Sequence, residues 1–392
     1  MIKSKKIRLK PTPEEETLFW KSAGTSRWAY HYFLSENERV YKDYLDNGKT
    51  GTKYISGGDI RKDINHILKK TTHPWLSEVV SNVMKQAVKN AERAYKDWLS
   101  GKRGKPHDKS KHKSKINFYV NYESLTRKEG GFHGEKIGFV KTVESLPKLP
   151  KNENDSNPYI SYDGKQWYLS VGYPIEPIKT KLSGESLGID LGVKDLAVCS
   201  DGKVYKNINK SARRKKLKKR LKREQRKLSQ MIENKISGYQ SNRKPIYKRP
   251  LNNCSNIQRQ MKDIRLIYKH ITDIRQNYLH QTTAEIVKTK PSRIVMETLN
   301  VKGMMKNKQL AKAVAEQCFY EFKRQMKYKS ELYGIKLVEV PTFYSSSKTC
   351  SQCGTVKKDL KLSDRVYRCA HCGLVIDRDF NASINLATYQ SA

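Results

Sequence analysis

Four cysteines within 23 residues constrain this chain more than any other feature of its sequence. Cys350-x2-Cys353 and Cys369-x2-Cys372 form two knuckles separated by 15 residues. Each C-x-x-C step presents two sulfurs on one tight turn. Gly354 and Gly373 follow directly, where the strained backbone calls for glycine. Four thiolates at this spacing close a tetrahedron around one zinc ion and leave no open position, so the expected ion is structural and the segment is a zinc ribbon. The other three cysteines, Cys199, Cys254 and Cys318, are scattered. An odd total and a paired cluster argue for metal in a reducing compartment rather than for disulfides.

Charge defines the partners. The chain of 392 residues, long enough for two or three domains, carries 79 Lys and Arg against 39 Asp and Glu, a net charge of +40. Such a surface repels itself unless a polyanion is near, and nucleic acid is the commonest polyanion. Solubility alone is the bland alternative. A membrane surface is the other candidate, but no apolar run of about 18 residues or more occurs. The opening MIKSKKIRLKPT has basic residues but no apolar signal core. The expectation is a soluble, intracellular protein.

The chain reads as alternating textures. KKIRLKPTPEEE opens with a strand, followed by Thr12 as helix cap, Pro13 at the first helical position and Glu14 to Glu16 at the positive end of the helix dipole. Gly24 reads as a break, after which Trp28, Tyr32 and Tyr41 resume helical spacing. Residues 75–99 read as an amphipathic helix with Val83, Ala87, Ala91, Ala94 and Trp98 on one face. INFYVNY, KIGFVK and QWYLSVGYPI read as strands. Residues 1–180 are therefore expected to form a small β domain with a helical insertion at about 12–110. From 186 the texture changes to a central strand, GIDLG, and a second strand. Residues 209–235 read as a basic helix with a thin stripe of Leu217, Leu221 and Leu228. It pairs with a long helix over 256–288, across a polar break. SRIVMETLNV is a strand, 308–333 a helix, and GIKLVEVP another strand; the cysteine window and a last helix, NASINLA, follow. No repeat at a fixed period is present. His270 and His280 lack a partner in the sequence and read as surface or packing residues.

Four acids stand out. Asp190 sits inside an apolar strand, Glu297 ends another, and Asp377 and Asp379 precede the last helix. A lone carboxylate in a strand costs stability unless it is paired or bound to metal. Each alone reads as a salt bridge or turn residue. Together, acids converging on strand ends are how proteins hold two Mg²⁺ ions for phosphodiester cleavage, since hard cations take oxygen ligands.

These residues resemble the TnpB family, transposon-encoded RNA-guided DNA nucleases similar to compact type V CRISPR effectors. RLKPTPEEE with GTSRWAYHYFL resembles the family's N-terminal entry, and PWLSEVVSNVMKQAVKNAERAYKDWLSGKRGKP its recognition helices. LGIDLGVKDLAV and IVMETLNVKGM resemble its first and second RuvC motifs. SSSKTCSQCG, RCAHCG and DRDFNASINLA resemble its zinc knuckle and third RuvC motif. Glu16 stands where the family usually has glutamine, and the tail after the last helix is short.

The resemblance implies an α/β multidomain chain: an N-terminal β-barrel-like domain with its helical insertion, an RNase H-like (RuvC) nuclease domain over 181–345 containing the hairpin 209–288, a zinc ribbon over 346–374, and the last RuvC motif and helix over 375–392. It implies Asp190, Glu297 and Asp379 as catalytic acids holding two Mg²⁺ ions. Asp379 is chosen over Asp377 because it directly precedes the Phe380-Asn381-Ala382 step; Asp377 is a candidate supporting partner. Cys350, Cys353, Cys369 and Cys372 take one Zn²⁺. The implied partners are a guide RNA and double-stranded target DNA, with no membrane. One chain acts on one guide RNA, or two chains share it, in a prokaryotic cytoplasm at the nucleoid. Arg213, Arg214, Lys218 and Arg220 on the basic helix, with 12 Lys/Arg between 210 and 227, are candidate phosphate contacts, and Lys85 and Gln86 candidate contacts in the N-terminal helices. A solvated charged face is the competing reading of the basic helix. Some relatives lack catalytic acids and act as guide-directed repressors; here all three matching acids are present. A transposase that joins DNA ends is the third reading, since it too uses clustered acids.

Overall fold

The computed structural model describes residues 1–110, 114–150, 153–342, 344–361 and 364–390. The chain divides into two compact units, Met1–Ile175 and Glu176–Ala392.

The first unit is built on one long strand. β1 (Ile2–Lys10) alternates Ile7 and Leu9 into the core. The other strands are β2 (Ile116–Tyr119), β3 (Thr126–Lys128), β4 (Gly131–Gly134), β5 (Gly138–Thr142), β6 (Ser156–Tyr162) and β7 (Trp167–Pro174). They make an antiparallel sheet in the order β2-β6-β7-β1-β5-β4-β3. β1 pairs with β7 along its first seven pairs and with β5 at Leu9 and Lys10. Among the described residues no β2–β3 pairing closes the sheet. Phe19, Phe118, Phe132, Ile160, Trp167 and Leu169 fill its core.

Helices form a second cluster in this unit. α1 (Pro13–Asp46) starts at a capping box: the Glu15 N–H donates to Thr12 Oγ1 and the Thr12 N–H donates back to Glu15 Oε2 at 2.9 Å. The break expected at Gly24 does not occur. α1 runs unbroken through it, because Ala23 and Thr25 on either side are buried and that packing outweighs the ~1 kcal/mol a helical glycine costs. α2 (Gly57–Asp63) continues into a π-turn, Ile64–Leu68. The helix expected over 75–99 divides into a 3₁₀ turn, Pro74–Glu78, and α3 (Ser81–Leu99). Phe33, Ile60, Leu76, Val88 and Tyr95 pack these helices together.

The second unit is a five-stranded sheet between helical layers. β8 (Ser186–Leu191), β9 (Asp195–Cys199) and β10 (Val204–Lys206) form an antiparallel meander. β13 (Arg293–Glu297) and β14 (Lys336–Val340) add in parallel on the other side of β8. Between them the chain leaves as α4 (Ala212–Glu233), turns through a hairpin of β11 (Ile236–Tyr239) and β12 (Pro245–Tyr247), and returns as α5 (Ser255–Lys288). The polar stretch between the helices is thus an ordered hairpin. α6 (Val301–Lys306) follows β13. The helix expected over 308–333 is two, α7 (Ala311–Gln317) and α8 (Phe319–Leu332), since Cys318 is left-handed at φ 56°. α5 and α8 cover one face of the sheet over Leu187, Ile189, Ile294 and Met296. The last elements are β15 (Val366–Arg368), β16 (Val375–Asp377) and α9 (Arg378–Thr388), and α9 packs on the opposite face through Leu386 against Val295 and Val340. No helix among the described residues is long and apolar enough to cross a membrane.

Candidate functional site

Strand alternation sorts β8 into two faces. Leu187, Ile189 and Leu191 enter the α5–α8 core, so Gly188 and Asp190 face α9. Gly188 is needed there: a Cβ at that position would stand 1.9 Å from the Ser383 carbonyl oxygen and 2.5 Å from the Ala387 nitrogen. The missing side chain lets α9 lie against the strand, which brings the start of α9 to Asp190. β13 runs parallel to β8 with Met296 opposite Ile189, so the next step sets Glu297 beside Asp190 on the same face. Arg293 at the other end of β13 donates to the Ala387 carbonyl at 3.0 Å and holds the far end of α9.

The structure thus brings Asp190, Glu297 and Asp379 together, and their electrostatics record it. Asp190 keeps a partly open edge, but burial, then Glu297 and Asp379, raise its carboxyl well above the ordinary range. Burial first, with Asp379 adding to it, pushes Glu297 up to about 7, against the Leu191 N–H that donates to Glu297 Oε1 at 3.2 Å. Asp379 lies in the first turn of α9, where the helix dipole favours a carboxylate. Its Oδ1 accepts from Arg378 Nη2 at 3.0 Å. Asp377 has a different task. Its Oδ1 accepts from the Asp379 and Phe380 N–H groups at 2.9 and 3.1 Å, so it caps α9 and fixes the backbone that carries Asp379. A cavity of about 340 Å³ opens beside Asp379, lined in part by Lys194, Lys206, Val198, Val204 and Phe380.

The cysteines form a tighter set. Among the described residues, their four sulfurs are the set of metal-type ligand atoms that all lie within 4.8 Å of one another. Gly354 and Gly373 have φ 76° and 74°, and each N–H closes its knuckle onto Cys350 or Cys369. β15 and β16 pair beneath the second knuckle, and Tyr367, fully buried, donates to the Lys348 carbonyl at 3.2 Å. The Thr355 hydroxyl and backbone hold the Cys353 thiol down to about 5, whereas contacts with the other three cysteines help push Cys372 up to about 12. Four thiols in this arrangement fit a zinc ion.

The basic candidates divide. Arg213 is exposed, 3.4 Å from His270 Nε2, and Arg220 is exposed. Arg214 is a correction: it is 1% exposed, packed against α5 with Nη1 3.5 Å from the Ile271 carbonyl, and cannot reach a phosphate from there. Its long stem fills the helix–helix seam that the thin leucine stripe leaves open. Lys218 is held on both Glu316 carboxylate oxygens at 2.6 and 2.8 Å. Lys85 is exposed on the wall of a cavity of about 300 Å³ shared with Arg61 and Lys62, while Gln86 is half-buried and donates to Asn90. Reasoning from the sequence missed Gly188, Asn381 and Asn385. Two asparagines four apart inside an 11-residue helix were the available signal, because asparagine is a poor helix former unless its amide is used.

Three family models match the chain: "Helix-turn-helix domain" over residues 1–45, "Probable transposase" over 170–308 and "Cas12f1-like, TNB domain" over 319–386. The first of these segments folds here as β1 and the unbroken start of α1. "Putative RNA-guided DNA endonuclease InsQ" of Escherichia coli (strain K12) is 26% identical over 402 residues, which is 97% of this chain and 90% of InsQ. "TnpB-like protein L770" of Acanthamoeba polyphaga mimivirus is 25% identical over 98% of this chain and 72% of its own. Among solved structures, the Cas12f1 chain of a Cas12f1-sgRNA-target DNA complex superposes with a TM-score of 0.57 at 14% identity, over 99% of each chain. Fold and sequence together define a mixed α/β chain with the architecture of a compact Cas12-like effector. Along nearly its whole length the chain is similar to RNA-guided DNA endonuclease and TnpB-like proteins.

Proposed function

We propose that this protein is an RNA-guided DNA endonuclease that cuts target DNA beside a short motif, by divalent-metal-dependent phosphodiester hydrolysis in an RNase H-like, RuvC-type site. The carrying observation is the convergence of Asp190, Glu297 and Asp379 on one face of the sheet, each of the first two raised by burial and by its neighbours. Oxygen donors of this kind suit Mg²⁺, and such ions, when bound, stabilise the charge that develops on the phosphate and activate water. Asp190 and Glu297 would supply rigid ligands from paired strands, and Asp379 one from a capped helix start. Lys194 and Lys206, beside the cavity at Asp379, attract the strand to be cut. Guide pairing selects the sequence, while the exposed lysines and arginines, Arg213 and Arg220 among them, hold backbone phosphates. Residues 1–180 act as a barrel-like domain that reads the target-adjacent motif, with Lys85 and Gln86 in its helical part. Residues 346–374 act as a zinc ribbon beside the nuclease domain.

The test is plasmid cleavage by the chain with its co-purified RNA and Mg²⁺. Asp190→Ala is expected to lower cleavage by at least about a thousandfold while RNA binding stays intact; retained cutting would remove Asp190 from the site. The family description "Probable transposase" supports a second reading, DNA end joining. Strand-transfer products in the same assay would favour it, and simple double-strand breaks the nuclease.

A further inference from the structure

α9 is attached to both cysteine knuckles, by different means. The second knuckle continues through β16 into Asp377, the cap of α9, and the Arg378 N–H donates to the Arg365 carbonyl at 2.9 Å. The first knuckle is distant in sequence and is reached by side chains. Asn381, fully buried, accepts from the Ser351 N–H at 3.0 Å and donates to the Thr349 carbonyl at 2.7 Å. Asn385, one turn on and also buried, donates to the Ser346 and Thr349 carbonyls, both at 2.7 Å. These contacts bracket Cys350: Thr349 precedes it and Ser351 follows it.

Two buried amides are an expensive way to pack a helix. Each must be hydrogen-bonded to be tolerated, and a leucine would fill the space without that demand. Apolar packing leaves a helix free to slide along its axis by fractions of an ångström. Four directional hydrogen bonds to three backbone groups on one segment do not. Asp379 sits two residues before Asn381, in the turn that this clamp fixes.

We propose that Asn381 and Asn385 are positioning residues that tie the state of the first cysteine knuckle to the placement of Asp379. The cysteines would hold the metal and so fix the backbone at 349–351; the two amides tie that segment to α9, which carries Asp379 toward Asp190 and Glu297. The inference rests on the carboxylate reading above. Because coupling is reciprocal, zinc on the sulfurs and a divalent cation on the acids would each strengthen the binding of the other.

The experiment uses the full chain with its RNA and Mn²⁺ as the probe, with Asp190→Ala as the reference for binding elsewhere. Asn381→Asp keeps the acceptor for Ser351 and removes the donor; Asn385→Leu removes the clamp and keeps the bulk. Both are expected to hold one zinc per chain and bind RNA normally, with the Asp190-dependent Mn²⁺ half-saturation raised about tenfold or more, as for partners of metal ligands generally. A lower melting temperature with unchanged Mn²⁺ half-saturation marks a merely structural role and overturns the proposal. If the variants unfold, zinc is stripped from the wild-type chain with a chelator instead. Weakened Mn²⁺ binding then supports the coupling, and unchanged binding overturns it. Identical Mn²⁺ titrations of wild type and Asp190→Ala overturn the carboxylate reading and the coupling with it, whereas Asp190-dependent binding that ignores the asparagines overturns the coupling alone.

Discussion

The cysteine and carboxylate clusters of the second unit are two answers to the same physical task. The cysteine set is local: its four sulfurs come from 23 consecutive residues and lie within 4.8 Å of one another. The carboxylate set is assembled from β8, β13 and α9, and its second acid lies 107 positions after the first. Two turns and the short β15–β16 pair gather the sulfurs. The acids need a parallel strand pair, a glycine and a docked helix. The first is built to be closed, and the second keeps an open edge beside a cavity.

That contrast is open to attack from both sides. Cys350→Ser removes one of four ligands from a local site and is expected to have the largest effect. Structural zinc sites of this type carry apparent binding energies of about 10–16 kcal/mol, so zinc content by atomic absorption should fall well below one per chain. Unchanged stoichiometry would end the ribbon assignment. Gly188→Ala should instead break the carboxylate side first. The new Cβ meets backbone rather than flexible side-chain ends, so α9 must shift, at a cost of about 3 kcal/mol or more in urea unfolding. A well-behaved Gly188→Ala protein of wild-type stability would mean that α9 does not lie against β8.

The pH response sharpens the comparison next. Glu297, raised to about 7, favours its protonated form in the folded chain. Without divalent cations its contribution to stability is fully present below the ordinary carboxylate value of 4.5 and is lost as pH rises through about 7. Mn²⁺ binding runs the other way, because the ion competes with that proton: affinity should rise between pH 6 and 8, and Glu297→Gln should flatten the slope. The smallest effects belong to the basic helix. Arg220→Ala should reduce the salt dependence of nucleic-acid binding by about one unit of slope. Lys218→Ala, losing the Glu316 pair, should cost about 1 kcal/mol of stability, with little change in that slope.

Much of this was legible in the sequence where the determinants are local. The cap at Thr12, the two knuckles and the strands carrying Asp190 and Glu297 are written in neighbouring residues. The misreadings share a cause: tertiary packing overrode a local preference. Gly24 stays helical because its neighbours are buried. Cys318 breaks a periodic run because Gln317, 2% exposed, turns inward to donate to the Gly192 carbonyl. Arg214 is buried although its neighbours are solvated, because α5 lies against that face. The role of Asp377 was open in the sequence for the same reason, since a cap is defined by the two N–H groups it receives.

The burial that raises the carboxylates also decides what an approaching polyanion meets. Three ionised acids in one hollow would repel a nucleic-acid backbone. In the proposed site Asp190 and Glu297 favour their protonated forms when no cation is present, and would exchange those protons for a bound cation. On that reading an approaching strand would meet less negative charge than three ionised acids carry, in keeping with the net charge of +40 of the chain.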